Sequence, residues 1–530
     1  MSSSTHSIGE NNGSSNKPQP DQAQYEWQIL EPDYYQREVV GGEKMFDFLE
    51  RSMNGHGEGC IVTQFETKGQ DSQREMIARI QNGFLKTYLK HPLIGCTLET
   101  ELRDPAGSQS DELNKVTYLR YRKPTTASQA QQLVSTHINF PRLKDPADLA
   151  DFVLNGRVGD GDGRRASMYV CFGEHKVSVA YYLSHVIFDP YYGAQAYDEM
   201  MGMIASSRGD TFDPSIVLTP IPAEEMQRRL PVSVSFAYDR QMEPTEEDKQ
   251  KGVEHWQDVL MDAASKDSIL IPSDGDAAFR KNKRSFTKVT LSQRETKALN
   301  TFCKSVGMPL VGLMGASYLY TLSQEYGAAH AARGEEVPEG IKCTLPLPVQ
   351  QFIEVNRNES HGPVSCAMMP GLIWVPTKDA SVLEIAMSLG QATQAQITHP
   401  HPLGREAMDT LLMPYLSSVA STSSVYLPPG FPGLTYIGNV SRFITERHSN
   451  PGLEMTLCDV YMGTRSLTNR PWMLGSVWNG KFSAEIYFNE RYLDYDHMTD
   501  IVQKTVKQML ECLPEQEEGE ESGNHRQSRL

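Results

Sequence analysis

From Arg74 to Leu89 apolar side chains recur at Ile77, Ile80, Phe84, Leu85 and Tyr88, a spacing that gathers them on one face of a helix. The helix closes at KHPLIG. The runs IGCTLETEL and KVTYLRYR then read as strands separated by the polar loop RDPAGSQSDELN. Next, SMYVCFGEHKVSVAYYLSH predicts a hairpin turning over Gly173 to Lys176, with Val177, Val179, Tyr181, Leu183 and His185 on one face of its second arm. His185 is therefore expected at a strand end and facing the core, followed by a helix over YYGAQAYDEMMGMIASS.

Residues 216–250 are Pro-rich and acidic, which predicts a crossover linker between two domains. Beyond it a strand is expected near Arg284 to Leu291, a helix over QRETKALNTFCKSVG, a buried helix from Leu310 to Glu325 and a strand at IKCTLPLPV. In GSVWNGKFSAEIYFN, Asn479 and Gly480 stand between two alternating apolar runs, the arrangement of a two-residue type I′ hairpin. A closing helix runs from Tyr495 to Leu513. Strands and helices alternate without a solenoid repeat, so the chain is mixed α/β.

Length changes this picture only by dividing it: 530 residues exceed one ordinary core, and two large domains are expected. A net charge of −17, from 50 basic and 67 acidic groups, argues against a nucleic-acid partner, which would require a clustered basic excess. The eight cysteines are dispersed, with no C-x-x-C pair and no zinc-like His/Cys spacing, so reduced, mostly buried thiols and no metal are expected. The longest apolar stretch, Met308 to Leu322, is shorter than a membrane span. Residues 1–24 lack the features of a secretory signal and read as a disordered leader. Residues 514–530 read as a disordered acidic tail whose last three residues, Ser528, Arg529 and Leu530, match the pattern of a peroxisomal address. An import receptor would then be a partner, and the cytoplasm is the alternative location.

Among the 14 histidines only His185 has an aspartate, Asp189, four positions on. An imidazole held at the end of a rigid strand, ahead of a sharp turn, is placed to take a proton from a substrate hydroxyl. On these residues alone His185 is either a general base or a satisfied structural histidine. Rival constellations fall away on geometry. Ser317 in GASYL lies inside a helix without the second glycine of a nucleophile elbow. The glycines of VGDGDGRR have no phosphate-loop spacing, and HPHP (399–402) has no acidic or cysteine ligand nearby. Asn439 and Ser441 form a glycosylation sequon that, without a signal, would not meet the machinery. A basic cluster, Arg280, Lys281, Lys283 and Arg284, reads as a solvated loop or a phosphate contact.

The stretch LSHVIFDPYYG resembles the H-x-x-x-D-G motif of the CoA-dependent acyltransferase superfamily, which includes chloramphenicol acetyltransferase, plant BAHD enzymes and condensation domains. FLKTYLKHPLIGCTL, VGMPLVGLMGASYLYTL, LTYIGNVSRF and GSVWNGKFSAEIYFNERYLD resemble further segments of that family, in family order, over most of residues 70 to 513. Within it the chain looks most like the fungal trichothecene O-acetyltransferase type, including peroxisomal enzymes that acylate mannosylerythritol lipids. The resemblance implies an α/β (α+β sandwich) fold of two chloramphenicol-acetyltransferase-like domains, each a mixed sheet flanked by helices, at residues 25–215 and 251–513, with a channel between them. It implies acyl-CoA as co-substrate with no bound cofactor, a small-molecule alcohol as acceptor, and a monomer.

Carried onto this sequence, the resemblance makes His185 the general base and Asp189 a structural residue that pairs with an unidentified Arg. It makes Asn439 and Ser441 candidates for oxyanion or CoA contacts, and Lys281, Lys283 and Arg284 candidates for a CoA phosphate. Two positions depart from the pattern: Pro190 replaces the usual Gly, and Ser184 replaces the usual tandem His, which disfavours a condensation domain. A trichothecene-type acetyltransferase, a condensation-like enzyme and a silent metabolite-binding relative are the alternatives.

Overall fold

The computed structural model describes residues 26–514 except positions 53, 70–71, 107–113, 157–162, 274–278, 349–367, 398–412, 414–429 and 451. The leader at 1–24, HPHP (399–402), Cys366 and the terminal Ser528, Arg529 and Leu530 lie outside the described residues.

Among the described residues three sheets carry the fold. The first holds β1 (Gln28–Glu31), β2 (Tyr34–Glu38), β4 (Thr97–Leu102) and β5 (Lys115–Arg122), in the order β1-β2-β5-β4. The second holds β3 (Gly59–Gly69), β6 (Ile138–Asn139), β7 (Ala166–Phe172), β8 (Lys176–Leu183), β13 (Arg447–Asn450) and β14 (Leu453–Thr464), in the order β13-β14-β3-β8-β7-β6. The third holds β9 (Arg284–Thr290), β10 (Gly340–Pro348), β11 (Met368–Pro376), β12 (Gly433–Asn439), β15 (Trp472–Trp478) and β16 (Lys481–Asn489), in the order β11-β10-β12-β15-β16-β9.

The helices are α1 (Gly42–Ser52), α2 (Gln73–Lys90), α3 (Ala127–His137), α4 (Leu149–Asn155), α5 (Pro190–Ser206), α6 (Ala223–Arg229), α7 (Val234–Met242), α8 (Glu246–Ser265), α9 (Gln293–Ser305), α10 (Leu310–Ala332), α11 (Val382–Ile397) and α12 (Tyr495–Glu511). This mixed α/β architecture has the expected class. None of the described helices is long and apolar enough to cross a membrane.

Local chemistry explains where the expected elements start and stop. Ser72 and Glu75 close a reciprocal capping box at the head of α2, and Ser292 and Glu295 do the same for α9. Between β15 and β16, Asn479 and Gly480 take φ of 48° and 68°, the left-handed pair that a type I′ turn requires.

Two features refine the expected organisation. The crossover linker at 216–250 is not without regular structure. It holds α6, α7 and the start of α8, with Ser233 capping α7 and a Thr245–Asp248 capping box opening α8. Its prolines fall between or just before these helices, where no backbone donor is needed. It is also anchored, because the Pro231 carbonyl accepts from Trp27 Nε1 at 2.8 Å and from Arg37 Nε at 3.3 Å.

Nor do the sheets divide at that stretch. β14, from the second half of the sequence, pairs antiparallel with β3 from Leu453↔Gly69 to Thr464↔Gly59. The two apolar cores reflect this exchange. The larger one packs Phe65, Phe84 and Tyr181 with Leu453, Met455 and Leu457, while the other gathers around α10, α12 and the third sheet. β8 lies between β3 and β7 and is buried from Val177 to Leu183 on both faces, so its apolar run marks a central strand.

Candidate active site

β8 ends at Leu183, and His185 stands two residues beyond it, not on the strand as expected. Ser184 N–H still donates to the Arg165 carbonyl at 2.9 Å, and the Ile187 N–H closes a turn onto the Ser184 carbonyl at 3.2 Å. The turn sits on rigid supports at both ends, β8 before it and α5 after it.

His185 is half-buried between two aromatic rings. Its imidazole stacks on Phe188, with centroids 5.0 Å apart and an angle of 8°, and Phe46 approaches the ring at 5.0 Å. His185 Nδ1 lies 3.1 Å from the Phe188 carbonyl oxygen. A carbonyl only accepts, so Nδ1 carries the proton and Nε2 keeps its lone pair. Burial lowers the imidazole to about 4, more than the Phe188 hydrogen bond can offset. The ring is thus neutral at physiological pH, in one tautomer, with a basic nitrogen that no described residue occupies.

Asp189 is buried and accepts from the Tyr191 and Tyr192 amides at 2.9 and 2.7 Å, as the N-cap of α5. Pro190, the departure from the family pattern, is the first residue of that helix. There its fixed φ suits the helix and its missing N–H removes no bond. Asp189→Ala should cost about 1–2 kcal/mol. The loss would show as a lower urea midpoint at unchanged slope, and Asp189→Asn, which keeps an acceptor, should recover most of it.

Phe188 occupies a slot cleared by two glycines. A Cβ at Gly193 of α5 would stand 2.2 Å from the Phe188 ring, and one at Gly59 of β3 would stand 3.0 Å from it. Below the turn lie buried acids of α1. Glu50 accepts from Ser184 Oγ and from the His185 amide, while Asp47 is held by Arg51 and Thr117, each at 3.0 Å. None of Phe46, Phe188, Gly59, Gly193 or Glu50 was marked by sequence reasoning. The available signal was the acidic series Glu43, Asp47 and Glu50, which has the spacing of a solvated helix face yet is fully buried.

The remaining expected residues are placed unevenly. Asn439 and Ser441 are exposed at the end of β12, where Asn439 Oδ1 accepts from the Ser441 amide at 3.2 Å. Their turn reaches α5 through Phe443, edge-on to Tyr191 at 4.9 Å, and neither residue is shown bonded to His185. The basic cluster is largely engaged in holding the start of β9. Arg280 pairs with Asp494 at 3.2 Å, and Lys283 pairs with Glu490 at 3.2 Å and Asp151 at 3.8 Å. Arg284 is buried, with its backbone bonded to the Asn155 side chain; Lys281 is exposed. Among the described residues no group of His, Cys, Asp or Glu could hold a metal ion.

No family model matches the chain. It is 20% identical over 547 residues to the acyl-CoA-dependent acyltransferase MAC1 of Pseudozyma antarctica (strain T-34), covering 92% of this chain and 96% of that one. It is likewise 20% identical over 544 residues to the protein of that name from Mycosarcoma maydis, covering 92% and 90%. Among solved structures, TRI3 trichothecene 15-O-acetyltransferase from Fusarium sporotrichioides superposes with a TM-score of 0.74 at 13% identity, over 93% of this chain and 99% of the other. The first condensation domain of the calcium-dependent antibiotic synthetase superposes with a TM-score of 0.58 at 9% identity, over 90% and 95%.

Proposed function

We propose that this chain, which belongs to the CoA-dependent acyltransferases, moves a short- or medium-chain acyl group from acyl-CoA to a hydroxyl of a fungal secondary metabolite or glycolipid, with His185 as the general base. The observation that carries this reading is the 3.1 Å contact of His185 Nδ1 with the Phe188 carbonyl, which assigns the proton to Nδ1 and leaves the Nε2 lone pair to act. Nε2 takes the proton of the acceptor O–H as the oxygen attacks the thioester carbonyl. The tetrahedral adduct collapses with cleavage of the C–S bond, and the proton passes to the CoA sulfur. No acyl-enzyme and no cofactor take part. Asn439 and Ser441 are the candidate donors to the developing oxyanion. Of the basic cluster, exposed Lys281 is the best placed to meet a CoA phosphate.

A mannosylerythritol lipid is the favoured acceptor, and the peroxisome, where fatty acyl-CoA is shortened, the favoured location. The latter rests on Ser528, Arg529 and Leu530 alone. Incubation with acyl-CoA of two to twelve carbons and partly deacylated mannosylerythritol lipid, with free thiol followed by a chromogenic reagent, tests both donor and acceptor. Acceptor-dependent CoA release with donors longer than acetyl is expected. Release with acetyl-CoA alone would favour the trichothecene-type alternative, and none with any pair would leave a binding protein.

A further inference from the structure

We propose that Glu50 is a positioning residue for the His185 turn: its buried carboxyl holds the Ser184 hydroxyl and the His185 amide, and so fixes the direction of the imidazole.

The geometry is compact. Ser184 Oγ lies 2.8 and 2.6 Å from the two Glu50 oxygens, and the His185 N–H donates to Oε1 at 3.0 Å. The same Ser184 oxygen accepts from the Val186 amide at 3.1 Å. Three successive residues of the turn therefore hang on one side chain, which has no solvent exposure. Ser184 serves as the strut between α1 and the turn. A buried carboxyl left without these donors would bear a desolvation penalty, which gives the arrangement its stiffness.

Glu50 has charged neighbours. Arg165 approaches at 4.0 Å and also reaches Asp47 at 3.9 Å. Glu58 is neighboured by Tyr182 at 2.6 Å and Arg465 at 3.6 Å. Burial, with Glu58 and Asp47 adding repulsion, raises Glu50 to about 8 against the pull of Arg165 and Ser184. This upward shift favours the neutral form, so a carboxamide should replace it well.

The inference rests on the His185 reading, and its test has a readout independent of activity. Glu50→Ala and Glu50→Gln are made in the full chain. The His185 ring is titrated by NMR with ring-labelled histidine, assigned with His185→Ala, and kcat and KM are measured on the acyl-CoA donor that the wild type uses. In Glu50→Ala the turn loosens and water reaches the ring, so the imidazole should titrate well above its wild-type value, toward the ordinary histidine range. The value of kcat should fall about 10²-fold, the loss that a displaced catalytic group produces, with KM for acyl-CoA unchanged. Glu50→Gln keeps an acceptor for the His185 amide and a partner for Ser184 Oγ, and should restore both readouts.

If Glu50→Ala titrates and turns over as the wild type does, or if Glu50→Gln is as impaired as Glu50→Ala, the proposal falls. Should Glu50→Ala fail to fold, Ser184→Ala removes the same strut and should move the titration in the same direction; an unmoved titration would overturn the proposal. Transfer that survives His185→Ala would sink the base assignment alone, because the titration still decides the role of Glu50.

Discussion

His185→Ala is expected to lower acyl transfer by about 10² to 10⁴-fold, the usual worth of a positioned general base, while the protein keeps its fold. The structural cost should be small, because the side chain makes one hydrogen bond, to Phe188 O, and the turn itself hangs on Ser184 and Glu50. Circular dichroism and the urea midpoint should therefore stay near wild type while CoA release falls by that factor. Retained release would end the mechanism.

The wild-type pH profile follows from the same burial. An imidazole lowered to about 4 stays unprotonated well below neutrality, so the acidic limb of kcat/KM should lie near that value instead of near 6.5. Stability carries the matching sign. A basic group depressed in the fold contributes stability that is complete above its unfolded pKa of about 6.5 and is lost as pH falls toward 4. Glu50, raised to about 8, has the opposite slope: its contribution is complete below the ordinary carboxyl value and is lost as pH rises through 8.

The second large effect is expected from one methyl group. In Gly193→Ala the new Cβ would stand 2.2 Å from one ring carbon of Phe188 and 2.7 Å from the next, both well inside contact distance. The ring also packs close against β3, where a Cβ built at Gly59 would lie 3.0 Å from it. Phe188 must then shift, taking with it the face on which His185 stacks and the carbonyl that holds Nδ1. Overpacking of this kind costs about 1–3 kcal/mol, more than the ~1 kcal/mol that alanine gains over glycine in a helix. A net loss of stability and a fall of about 10²-fold in kcat are expected, with KM little altered. A Gly193→Ala protein as stable and as active as wild type would show that the slot has room to spare.

What could be read from the chain alone follows the range of the interactions concerned. The helix over 73–90 and the hairpin at Asn479–Gly480 are specified by residues within a few positions of one another, and their limits agree closely with the sequence pattern. The extension of α10 to Ala332 and the helices of 223–265 were obscured by composition, since proline and acidic residues serve as helix starts as readily as linkers. His185 was displaced from its expected strand position by two residues, because a strand buried on both faces has no polar face to show where pairing ends.

The site's supports were the least legible. Glu43, Asp47 and Glu50 repeat as a solvent-facing stripe would, and partners brought in from other elements, among them Arg37, Thr117, Arg165 and Ser184, make that stripe an interior one. The ion pairs of the basic cluster at 280–284 were out of reach for the same reason: its partners Asp151, Glu490 and Asp494 are remote in sequence.

The pairing of β14 with β3 sets a schedule for synthesis. β3 ends at Gly69 and its neighbour begins at Leu453, so nearly four hundred residues must emerge before that edge is covered. At the usual ~5–20 residues per second the nascent chain carries an open, apolar strand edge for roughly twenty seconds to more than a minute. The sheet that bears the His185 turn is therefore completed only once β14 has emerged. Any ribosome-bound fragment stopping before β14 has this sheet unfinished and leaves one edge of β3 unpaired.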